Sequence, residues 1–157
     1  MKRMILPVLA CVLGLAAARA FAEDGAKQVD EAWLKAVKAN DLNALVACYA
    51  PDAVLWLPNT PEAKGEKAIR ATYAALLGAN TVVDASLQNA VYNTAGEIST
   101  SWGTFTLVLK PKAGGPNVVM QGRFLSASKR EGGRWRYIAD HASVEPPPAP
   151  ASPPAAK

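Results

Sequence analysis

The sequence predicts an α+β fold in which a curved antiparallel sheet wraps three N-terminal helices. Two observations carry this. Apolar residues recur at helical spacing as far as Gly78, and from Thr81 the period drops to two and holds to Val144. A third supports it: glycine-bearing turns cut the second half into four long segments. Helices and strands in separate blocks of one chain are the pattern of an α+β domain.

The elements follow in order. Val29, Trp33 and Val37 recur every four residues, with Leu34 widening the stripe, which predicts a helix from about Gly25 to Ala39. Asn40 suits a C-terminal cap and Asp41 can cap a second helix. Leu42, Leu45, Val46 and Tyr49 form the buried stripe of that helix, and Pro51 ends it. Ala53 to Leu57 reads as a short strand. A third helix opens near Gly65-Glu66, buries Ile69, Tyr73, Leu76 and Leu77, and closes at Gly78. Val83, Ala85, Leu87 and Val91 then alternate with Asp84, Ser86 and Gln88. Turns at 93–96, 112–115 and 131–133 join the first of these strands to Glu97–Lys110, Val118–Arg130 and Arg134–Val144. Gly103 and Gly122 stand mid-strand, where glycine marks a bend or bulge.

The ends of the chain read differently. Lys2 and Arg3 precede an apolar run from Met4 to Ala18, and Ala20-Phe21-Ala22 supplies small residues for a cut. This is the pattern of a secretory signal peptide over residues 1–22, cleaved after Ala22, and it predicts a periplasmic or secreted protein. The run is shorter than the roughly 20 residues of a membrane span, so no membrane partner is expected after cleavage. The tail 145–157 is almost entirely Pro, Ala and Ser and cannot build a core. The domain expected between them is 23–144.

Cleavage changes the charge. Of 17 basic residues Lys2, Arg3 and Arg19 leave with the signal, while all 13 acids remain, so the net charge falls from +4 to +1. No basic patch points to nucleic acid. Cys48 becomes the sole cysteine, and its place in an apolar helical pattern predicts a buried, inert thiol. One histidine and one cysteine make no zinc-type ligand set. No metal or cofactor is expected.

Three motifs, AxxxNDLNALVACYAPDAVLWLP (Ala36 to Pro58), KGEKAIRATYAALL (Lys64 to Leu77) and GRFLSASKREGGRWRYIADHAS (Gly122 to Ser143), cover most of the chain after the signal. Together with the element order they resemble the nuclear transport factor 2-like superfamily. The likeness is to its ketosteroid-isomerase-like and SnoaL-like polyketide-cyclase branch, including small secreted members similar to the association domain of calmodulin-dependent kinase. The resemblance implies a cone-shaped fold with a pocket between helices and sheet. Its steroid isomerases use a first-helix tyrosine and a strand acid as oxyanion hole, and an aspartate before a proline as base. Those positions fall on Trp33, on a stretch from Lys110 to Arg130 without Asp or Glu, and on Leu57. None of the three roles is matched.

The remaining polar candidates are Asp140 and His141. Neighbours on a strand point to opposite faces, so they are not expected to act as a side-by-side dyad. A two-residue turn pairs Arg130 with Trp135, and hence Phe124 with His141; a three-residue loop with a glycine bulge would instead slip the pairing by one and mix the faces. With the two-residue turn, one face gathers Met120, Phe124, Trp135, Tyr137 and His141, with Phe105 and Leu107; the other carries Trp102, Gln121, Arg123 and Asp140. The first is the expected core face. Under that register His141 borders the cavity as a hydrogen-bond handle or weak base, and Asp140 pairs diagonally with Arg123. Trp33, Tyr73, Met120, Phe124 and His141 are the expected ligand-lining residues, and His141 and Asp140 the candidate catalytic ones. Trp56 is expected in the core. The functional expectation is an exported domain, homodimeric through its sheet, that holds a small hydrophobic molecule. The alternatives are a proton-transfer enzyme of isomerase or cyclase type, and an assembly domain with a filled cavity.

Overall fold

The computed structural model describes residues 25–144. The expected signal peptide and Pro/Ala-rich tail lie outside the described residues. Three helices come first: α1 (Gly25–Lys38), α2 (Leu42–Ala47) and, after β1 (Tyr49–Trp56) and β2 (Ala63–Lys64), α3 (Gly65–Ala79). Four long strands follow: β3 (Asn80–Ala95), β4 (Ile98–Pro111), β5 (Val118–Glu131) and β6 (Arg134–Val144). The sheet runs in the order β2-β1-β6-β5-β4-β3. All neighbours are antiparallel except β1 and β6, which are parallel, so the sheet is mixed.

Local chemistry sets the joints. Asn40 takes a left-handed φ of 53° at the end of α1. Its side chain donates to the Val82 carbonyl at 3.0 Å and accepts from the Val82 amide at 2.7 Å, which staples the helix end to β3. Asp41 caps α2 by accepting from the Ala44 amide at 3.0 Å. The second helix is shorter than its stripe suggests. Tyr49 opens β1 rather than closing α2, because the Tyr137 amide donates to the Cys48 carbonyl at 2.8 Å and draws the chain into the sheet. Pro51 and Asp52 fall inside β1, exposed, where its pairing with β6 is interrupted between Tyr49 and Val54. A proline lacks the ladder donor and is tolerated at such an interruption.

The core lies between helices and sheet. Val37 of α1, Leu45 of α2, Ile69 and Tyr73 of α3, and Leu55, Phe105, Leu107, Phe124 and Tyr137 of the strands are buried together. Bulges decide which residues reach it. β3 shifts register between Val82 and Asp84 and again between Gln88 and Val91. Each inserts an unpaired residue and resets the alternation. Val83 and Val91, expected inside, are therefore exposed, while Val82 and Ala85 are buried. The second bulge leans on Gly103, where an added Cβ would lie 2.7 Å from the Gln88 carbonyl oxygen.

A third bulge, on β6, matters most. Arg130 pairs with Trp135 as the turn predicts, but the register slips between Ala127 and Ser128, leaving Ile138 without a partner. Beyond the slip Leu125, not Phe124, stands opposite His141, and Ser126 stands opposite Asp140. The expected faces of these two residues are thus exchanged. Asp140 turns toward the helices, and His141 is exposed on the outer face.

Candidate functional site

The helices and the concave face of the sheet enclose a cavity of about 200 Å³. Its walls are mostly apolar: Trp33 and Val37 from α1, Leu76 from α3, Leu57 after β1, and Phe105, Met120 and Phe124 from the sheet. Its polar groups are few: Thr60 and Thr72, and the set Tyr73, Tyr137, Ser126, Asp30 and Asp140.

Asp140 ends a chain of hydrogen bonds whose direction is forced. The Trp33 indole Nε1 donates to the Tyr73 hydroxyl at 2.9 Å, and indole N–H can only donate. The Tyr73 and Tyr49 hydroxyls lie 2.6 Å apart, and Tyr49 donates to Asp140 Oδ2 at 2.7 Å. With Asp140 ionised, Tyr73 donates its single O–H to the Tyr49 oxygen, and every hydrogen bond in the chain points toward the carboxylate. Ser126 donates to the other oxygen, Oδ1, at 2.7 Å. Burial raises the Asp140 carboxyl above the ordinary carboxylate range, opposed by the Tyr49 and Ser126 hydrogen bonds and by the charge of His141. Asp140 is only partly buried, and it lines the cavity.

A second acid stands beside it. Asp30 lies on α1 at 1% exposure. Tyr137 donates to its Oδ1 at 2.5 Å and Ser101 at 3.3 Å, while the buried Oδ2 has no partner within hydrogen-bonding distance among the described residues. Burial pushes its carboxyl up to about 6; the Tyr137 and Ser101 bonds and, more weakly, the nearby Tyr92 hydroxyl oppose that, and the charge of Asp140 adds to it. Cys48 is buried, and burial first, then the Asp140 charge, pushes its thiol up to about 11, which keeps it protonated at neutral pH.

The expected lining residues separate accordingly. Trp33, Tyr73, Met120 and Phe124 line the cavity; His141 does not. Its ring stacks at a tilt against Trp56 on the outer face, centroids 6.4 Å apart, because the β6 bulge rotates it out. Trp56, expected in the core, is exposed there and donates to Glu62 at 3.0 Å. Asp140 does not pair with Arg123, which points to the opposite side of the sheet. Asp140 and His141 lie on opposite faces, so they form no side-by-side dyad. Leu57 lines the cavity where the resemblance would place a base, and it brings no acid. Asp30 was not among the sequence candidates, although one signal for it exists: an acid set within the apolar stripe Ala26, Val29, Trp33 and Val37.

The open, curved mixed sheet over three helices is the nuclear transport factor 2-like fold, and solved structures agree. A Novosphingobium aromaticivorans protein provisionally assigned as a scytalone dehydratase superposes with a TM-score of 0.73 at 10% identity, covering 83% of this chain and 88% of that one. A ketosteroid isomerase-like protein from Erwinia carotovora atroseptica gives 0.68 at 21% identity, over 80% and 98%. A Xanthomonas campestris protein provisionally assigned as a calcium/calmodulin-dependent protein kinase II association domain gives 0.68 at 18%, over 93% and 96%. At these identities the likeness is one of fold. A search of curated proteins finds no significant match. The family profile described as SnoaL-like domain matches residues 31–138, which include Trp33, Tyr73, Phe124 and Tyr137, and the chain belongs to that family.

Proposed function

We propose that this protein is exported and binds a small, largely apolar molecule of about one ring in the cavity between helices and sheet. The cavity itself carries the reading: about 200 Å³ of space between helices and sheet, apolar on most sides, with one partly exposed carboxyl group, Asp140, at its wall. A dry cavity of about 150 Å³ accepts benzene, and ligand sites pair apolar walls with a few fixed polar groups. Space of this size also speaks against an assembly domain whose cavity is filled by its own side chains.

Benzyl alcohol is a suitable neutral probe. At millimolar concentration it should raise the melting temperature in proportion to its affinity. Ala142→Phe, which places a ring in the cavity wall, should remove the effect. No stabilisation, or stabilisation untouched by that substitution, counts against the cavity as a binding site.

A second reading is proton transfer of isomerase type. It is favoured by Asp140 at the end of a directed hydrogen-bond chain and by Asp30 held near pH 6. An acid poised near the working pH is suited to general acid–base work. Deuterium uptake by the methyl group of bound acetophenone, lost in Asp140→Asn, would support it; uptake unaffected by that change would not.

The partner expected through the sheet is a second copy of the chain. Trp56, His141, Leu125, Trp102 and Val91 are register neighbours across five consecutive strands on the outer face, and all are exposed. A continuous apolar band of this kind suits an interface core. Native mass spectrometry of protein recovered from the expressing cell reads two points at once, a chain beginning at Glu23 and a doubled mass. An uncleaved monomer would refute both.

A further inference from the structure

We infer that the ligand is a small organic cation, a single-ring ammonium whose N–H groups are received by Asp140. This rests on the binding proposed above and goes further by fixing the ligand's charge. The residues lining the cavity include two carboxyl groups, and among the described residues no lysine, arginine or histidine lines it. The ion pairs that form among the described residues, such as Lys38 with Asp84 at 3.2 Å and Arg70 with Glu66 at 3.6 Å, join exposed side chains. Asp30 and Asp140 take part in none of them.

Asp140 is the receiving group because of its remaining capacity. An ionised carboxylate can accept about four hydrogen bonds, and Tyr49 and Ser126 supply one to each oxygen. The bonds already made hold the group in place at the cavity lining, with acceptor capacity left on both oxygens. Asp30 sits deeper, at 1% exposure, and adds negative potential without offering contact. The two acids act on each other unfavourably, which burial in an apolar site intensifies. A neutral hydroxyl could accept or donate one bond there but would leave that repulsion in place. An anion would increase it.

The walls favour the same ligand. The rings of Trp33, Tyr73, Phe105, Phe124 and Tyr137 surround the space, and aromatic faces attract cations, more strongly where water is excluded. Desolvating an ammonium is costly. Here, however, the Tyr49 and Ser126 hydrogen bonds and the apolar walls already replace part of the carboxylate's hydration, so most of that cost falls on the ligand. The volume limits the molecule to about one ring and a short aminoalkyl arm.

Benzylamine, protonated at pH 7.5, and benzyl alcohol have the same shape and differ in charge, so calorimetric titration of both into the protein isolates the inference. Benzylammonium should bind about tenfold tighter or better, a ratio appropriate to a charge-assisted bond in a buried site. Asp140→Asn should narrow the ratio to within about threefold whatever the absolute affinities; should that variant not fold, the wild-type ratio decides alone. Benzyl alcohol binding as well as or better than benzylammonium overturns the cation while leaving the binding site standing. If neither binds, both readings fall. A ratio unchanged in a folded Asp140→Asn removes Asp140 as the receiving group.

Discussion

Asp30→Asn should gain stability relative to the wild type as pH rises from 4 to 8, by roughly 2–3 kcal/mol in total. The reason is linkage. The Asp30 carboxyl titrates at about 6 in the folded protein against 3.8 ordinarily. Between those values the folded state holds a proton that the unfolded chain has lost, so its contribution to stability falls with rising pH and levels off above about 6. A gap of about two pKa units corresponds to roughly 3 kcal/mol, and at 1% exposure solvent screens little of it.

Asparagine removes the charge and still accepts from Tyr137. Its amide would be a buried donor where Oδ2 now has no partner, a cost of about 1–3 kcal/mol that does not depend on pH. The pH-dependent part is thus the signal to measure. Urea denaturation of both proteins at pH 4, 6 and 8 reads it directly. A difference between the two that stays constant across that range would show that Asp30 does not titrate as described. A residue that weakens the fold at neutral pH fits a site where function, not stability, sets the side chain.

Gly122→Ala should be among the most damaging single changes, at about 3 kcal/mol or more. A Cβ there would lie 1.8 Å from the Ser143 carbonyl oxygen and 3.0 Å from the Phe105 ring. The first contact is backbone, so no rotamer relieves it. β6 must move away, giving up the pairing of Gly122 with Val144 and of Arg123 with Ser143. It would carry Ala142, part of the cavity wall, with it. Gly78→Ala is the control. Nothing lies within 4 Å of a Cβ at that position in α3, and alanine is worth about 0.5–1 kcal/mol over glycine in a helix. Urea midpoints moving in opposite directions are the expected outcome; similar midpoints would mean that the close approach at Gly122 is not part of the fold.

Much of this architecture is legible in the chain, and the residues show why. Helices α1 and α3 and strands β3 to β6 follow from periods long enough to average over exceptions, and the Gly132-Gly133 turn fixes the Arg130–Trp135 pair correctly. What escapes is set by contacts remote in sequence. Tyr49 continues a helical stripe locally, yet a hydrogen bond from Tyr137 places it in a strand. Ile138 fits the alternation of β6, yet it is the residue left over when Tyr137 pairs with Ser128 and Ala139 with Ala127. One unpaired residue exchanges every later side chain between faces, and so Asp140 rather than His141 reaches the cavity. Asp30 differs, because an acid inside an apolar stripe is itself visible in the sequence.

The interior placement of Asp140 and the occupancy of the cavity are tested together by NMR on protein with labelled methionine and alanine methyls. Met120 is the single methionine among the described residues and lines the cavity with Ala142. Magnetisation should pass from a bound benzyl ring to both methyls, while the His141 ring on the far face stays silent. Contacts from the ring to His141, with none to Met120, would mean that ligands meet the other side of the sheet and would contradict the site described.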